Sequence, residues 1–130
     1  MNYYFSTSLQ HVSFSEAVSK VTEELKKEGF GILTEIDITS TLKSKLDVDF
    51  YKYMILGACN PPFAYEALKA EDKIGTMLPC NVIIQERESG TIEVSAVDPA
   101  ASMSSVKNKK LEAIAGEVRD SLQRVINNLK

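Results

Sequence analysis

Tryptophan is missing from this chain and histidine occurs once, at His11. A single imidazole in what reads as an exposed turn leaves hydrolytic and acid–base catalysis without its usual parts. Any catalysis would rest on cysteine, and the composition favours a binding protein over an enzyme. Cysteine is scarce too: Cys59 and Cys80 are the only two, and their spacing matches neither a zinc site nor a Cys-x-x-Cys redox pair. No cofactor is expected. Met1–Leu9 lacks the charged start and apolar stretch of an export signal, which points to the cytoplasm, where thiols stay reduced. No apolar run nears the roughly 20 residues of a membrane span, so no membrane association is expected. A basic block is also absent, because 15 Lys and Arg are interspersed with 18 Asp and Glu for a net charge of -3. Nucleic acid is thereby disfavoured as a partner, since its binding draws on a cationic face. Nucleotide-binding glycine loops, internal repeats and low-complexity tracts do not appear.

With 130 residues, 44% of them hydrophobic and 25% charged, the chain suits one globular domain over 1–130 that buries its own core. Tyr3, Phe5 and Thr7 alternate as in a strand. Ser13 to Glu16 forms a capping box, and Phe14, Ala17, Val18, Val21 and Leu25 follow at helical spacing as far as Gly29. Ile32, Thr34, Ile36 and Ile38 predict a second strand with its apolar side against that helix. Thr39 to Leu46 reads as a loop with one helical turn, and Phe50 to Leu56 as a strand covered on both faces. Asn60 and Pro61 predict a helix start running to about Ala70. Asn81–Glu88 and Thr91–Val97 form a hairpin about Ser89-Gly90. After Asp98-Pro99, Ser104 or Ser105 caps a long closing helix with an apolar stripe from Leu111 to Leu129. The predicted order is β-α-β-β-α-β-β-α: an α+β domain, its sheet largely antiparallel and its helices packed on one face.

Two short stretches stand out, Gly-Ala-Cys-Asn-Pro-Pro from Gly57 and Leu-Pro-Cys-Asn-Val from Leu78, each with Cys-Asn beside a proline. Cys59 precedes a helix start, where backbone amides and the helix dipole can stabilise a thiolate or hold a small anion. Cys59 and Cys80 are thus the candidates for any catalysis. Against this, a cysteine in an apolar setting more often serves as a small buried hydrophobe, and Cys80 sits among Leu78, Val82 and Ile84. Asn60 and Asn81 suit capping and strand entry at least as well as ligand contact, and Asp98 suits a turn. Met103 reads as packing, and Lys43, Lys45 and Lys52 as solvated charge. Tyr51, Tyr53, Phe63 and Tyr65 suit either a pocket or an interface.

The same motifs carry a resemblance. Ile55–Pro61 and Leu78–Val82, with Thr41–Lys43, Ala67-Leu68, Ile74-Gly75 and Asp98-Pro99 followed by Met103, resemble the bacterial domain of unknown function family 302 over nearly the whole chain. The resemblance implies a small α+β domain of the TATA-binding-protein-like kind, usually dimeric and with no established reaction. The fold label carries no DNA-binding function.

Three functions follow as expectations. One is a homodimeric module holding a small ligand or anion at Cys59, Asn60, Cys80, Asn81 and Asp98, with no metal. Another is thiol chemistry in which Cys59 and Cys80 carry sulfane sulfur, exchange disulfides or hold a soft metal. The last is a structural role in protein interaction. The first needs the fewest special groups.

Overall fold

Strand β4 (Cys80–Glu86) reads Cys-Asn-Val-Ile-Ile-Gln-Glu, and its Val82 and Ile84 are wholly buried. In the computed structural model, which describes residues 2–130, β4 is the middle of a five-stranded sheet. Met1, the first residue of the Met1–Leu9 stretch expected to carry no export signal, lies outside the described residues. The other strands are β1 (Tyr4–Leu9), β2 (Gly31–Asp37), β3 (Tyr53–Cys59) and β5 (Ile92–Val97), in the order β1-β5-β4-β3-β2 with every neighbour antiparallel. Gly90, at φ +81°, supplies the turn between β4 and β5. β1 and β2 are consecutive strands at opposite edges, so the helix between them must cross the sheet.

That helix, α1 (Phe14–Lys27), starts at the predicted capping box: the Ser13 hydroxyl accepts from the Glu16 N–H and the Glu16 carboxylate accepts from the Ser13 N–H. The backbone and Ser13 hydrogen bonds hold the Glu16 carboxyl below its usual range. Ala17, Val21 and Leu25 are fully buried against the sheet. Helix α5 (Lys109–Asn128) lies beside α1 and places Leu122, Val125 and Ile126 in the same core. The strands answer with the side chains that the register aligns on one face: Leu9 with Ile92, Ile84 with Val94, and Leu56 with Val82. Each fully buried leucine or isoleucine here contributes roughly 1.5–3 kcal/mol.

Helix α5 outruns this core. Its first turns, at Leu111 and Ala115, join a second cluster with Ala67, Ile74 and Met103. Ala67 belongs to α3 (Pro61–Ala70) and Ile74 to a short 3-10 turn (Asp72–Met77), so these elements form a second wall beyond the end of the sheet. The apolar stripe of α5 therefore serves two clusters.

Several expectations need correction. Thr39–Leu46 belongs to α2 (Ile38–Leu46), because Asp37 accepts from the Ser40 N–H and caps it. α2 has no buried residue, which is why no apolar stripe announced it. Strand β2 does not turn its isoleucines uniformly to α1. Its register shifts between Ile32 and Thr34, and Ile36, paired with Ile55, is 44% exposed on the face that α1 and α5 leave uncovered. The closing helix is capped by Asn108 rather than Ser104 or Ser105, while Asp98 caps a four-residue helix, α4 (Pro99–Ser102).

Candidate functional site

Strand β3 delivers Ala58 and Cys59 to the end of the sheet, and Cys80 opens β4 directly opposite Ala58. The two cysteine motifs therefore meet through strand pairing. Beyond them, α3, the 3-10 turn and α5 stand away from the sheet end and enclose a cavity of about 370 Å³. Its inner surface is made by Phe30, Ala58, Cys80, Met103, Leu111, Ala115 and Val118, all buried. Nearer the mouth lie Cys59, Asn60, Ala64 and Gly75, with Leu33 and Leu68 exposed beside them. Among the described residues, no charged side chain lines it.

The thiols differ in setting. Cys80 is 8% exposed, and burial, with a smaller push from Cys59, raises its thiol to about 11. It stays protonated at neutral pH. Cys59 is half-buried, and both are free. The helix start beside Cys59 is poorer in donors than expected, since Pro61 and Pro62 fill the first two positions and neither has an N–H. Asn60 does not cap α3 with its side chain. Its Nδ2 donates to the Glu28 carbonyl at 3.1 Å, tying the end of α1 to the start of α3.

Of the five expected site residues, the fold unites Cys59, Asn60 and Cys80 at this cavity. Asn81 goes elsewhere, because successive strand residues point to opposite faces and it follows Cys80. It lines a separate cleft of about 460 Å³ with Tyr3, Tyr4, Tyr53, Gln85 and Arg87 on the uncovered face of the sheet. Asp98 is also apart from the cavity lining. Its Oδ1 accepts from the Ala100 and Ala101 N–H groups at 3.0 and 3.3 Å, and Oδ2 accepts from Arg119 Nε at 3.4 Å. Those bonds give it a capping role. Phe63 lines the cavity, whereas Tyr65 is 64% exposed, and Lys43 is paired with Asp47 and Asp49. Among the described residues, no group of three or more His, Cys, Asp and Glu side chains is placed to hold a metal ion.

Sequence reasoning missed Phe30, Leu111, Ala115 and Val118 as cavity walls. Their apolar periodicity looks the same whether the facing surface is a side chain or a pocket. Met103 carried a signal through its place in the motif set, yet it was assigned to packing alone.

A crystal structure of an uncharacterized conserved protein DUF302 from Bacillus stearothermophilus superposes with a TM-score of 0.91 over all of both chains at 24% identity. No curated protein matches the chain. The model of the family described as "Domain of unknown function DUF302" matches residues 5–129. With all but the terminal residues matched, the chain belongs to the DUF302 family.

Proposed function

We propose that the protein binds a small, neutral, largely apolar molecule in the cavity between the sheet end, α3 and α5. The observation behind this is the cavity itself: about 370 Å³, inside the usual range for small-molecule sites, with no charged side chain on its walls. A buried anion needs charge partners or several donors, and here the prolines at positions 61 and 62 remove two of the amides. An uncharged ligand needs neither.

The test is titration with the apolar fluorophore N-phenyl-1-naphthylamine. Saturable binding is expected. Ala115→Phe, which puts a phenyl ring into the cavity from α5, should weaken it about tenfold or more, a loss of roughly 1.4 kcal/mol. Asn81→Ala, on the other face of the sheet, should leave it unchanged. Val118→Phe serves as a second filler if the first unfolds by circular dichroism. Equal binding by wild type and a folded filler variant would sink the proposal.

The protein works in the cytoplasm as a homodimer. Two free thiols suit a reducing compartment. Tyr3, Tyr4 and Ile36 are 67%, 40% and 44% exposed on or beside the uncovered sheet face, apolar surface that a second copy can cover. Sedimentation of the reduced protein should give twice the 14.4 kDa chain mass. A single species at the chain mass would refute the dimer.

A second reading, thiol chemistry, is favoured by the two cysteines lining one cavity. It needs a thiolate, which burial denies Cys80 at neutral pH. Cys59 would have to act alone, so passive binding is preferred.

A further inference from the structure

Resting on the cavity as a ligand site, the geometry points to the class of molecule it holds: a single straight alkyl chain whose polar end donates a hydrogen bond at the mouth. Depth and mouth differ in chemistry. Deep inside, Phe30, Leu111 and Val118 are 2%, 1% and 7% exposed, and among the buried lining residues the only side-chain heteroatoms are the sulfurs of Cys80 and Met103. A hydroxyl or amide placed there would lose its water and find no strong partner. The polar end of a ligand therefore stays out.

At the mouth the walls continue outward. Leu33 and Leu68 line the cavity yet are 66% and 44% exposed. A compact apolar molecule would sink to the floor and leave both in water, whereas a chain running out of the cavity covers them. Asn60 stands at the same rim with its N–H donated to the Glu28 carbonyl. Its amide oxygen can still accept and its second N–H can still donate, so the matching end group is a hydroxyl, which does both. A volume of about 370 Å³ takes about fourteen methylene groups at the packing density of a protein interior.

Displacement of N-phenyl-1-naphthylamine from the reduced full chain by straight primary alcohols from butanol to hexadecanol tests this. Affinity should rise roughly threefold to fourfold per added methylene, then level off at about fourteen carbons when the cavity is full. Decanol should bind about tenfold more tightly than 1-adamantanol, which has as many carbons in a compact cage. If 1-adamantanol binds as well as decanol, the chain shape is wrong and the cavity site survives. If neither binds, both the chain and the site are wrong. An increase that never levels, or one that persists in Ala115→Phe, would mean partition onto other surfaces and would overturn both as well.

Discussion

Cys80 in the folded, reduced protein should react with iodoacetamide at pH 8 roughly 100-fold more slowly than an ordinary thiol, because its thiolate fraction falls with a rise of about two pH units in its pKa. Burial raises it to about 11. Peptide mass spectrometry after timed alkylation reads the rate at each cysteine, and Cys59, at the cavity mouth, should label first. The same cause makes stability depend on alkaline pH. An unfolded cysteine ionises near about 8.5, while in the fold Cys80 stays protonated, so its contribution is whole below that value and is lost as pH rises toward 11. The loss should total about 3 kcal/mol. Tyr53, raised chiefly by its own burial, acts in the same direction. The difference between wild type and Cys80→Ala in urea melts from pH 8 to 11 therefore isolates the thiol. Parallel stability curves for the two proteins would show that Cys80 is not held in a low-dielectric site.

Gly57→Ala should cost roughly 2–3 kcal/mol, the range of overpacking in a filled site. Gly57 lies in β3 between Thr34 of β2 and Asn81 of β4. A Cβ there would run into the Thr34 hydroxyl and come within 2.8 Å of Pro79 Cγ. Thr34 is exposed and can yield, but the ring of Pro79 is rigid. Thr34→Ala added to Gly57→Ala should therefore recover part of the loss and leave the share due to Pro79. Urea midpoints at unchanged slope measure both steps. A neutral Gly57→Ala would mean that β2 does not approach β3 as closely as this register requires.

Helix α1 was legible because its capping box and its 17, 21, 25 spacing are local and agree with each other. The β4–β5 hairpin was legible for the same reason, with glycine at the turn and β-rich runs on either side. Asn81 was misplaced although the information was present: a residue next to Cys80 in a strand has to face the other way. Asn60 does stand at the N-cap position of α3, as its sequence suggests, but its side chain turns to the Glu28 carbonyl instead of capping, a contact between residues far apart in the chain. Helix α2 was hidden because its residues bury nothing and so show no periodic stripe.

The sequence by itself determined the α+β class, the antiparallel hairpin and the long closing helix, since each rests on residue spacing within one or two elements. Only the tertiary structure decided that β2 slips register and exposes Ile36, and that Asp98 caps α4 away from the cavity. It also decided that α5 leaves the sheet to face α3, opening an apolar space beside Cys59 and Cys80. An apolar side chain is written the same way whether it meets another side chain or a cavity. That choice is made by contacts between residues distant in the chain, such as Ala67 with Ala115 and Ala58 with Cys80.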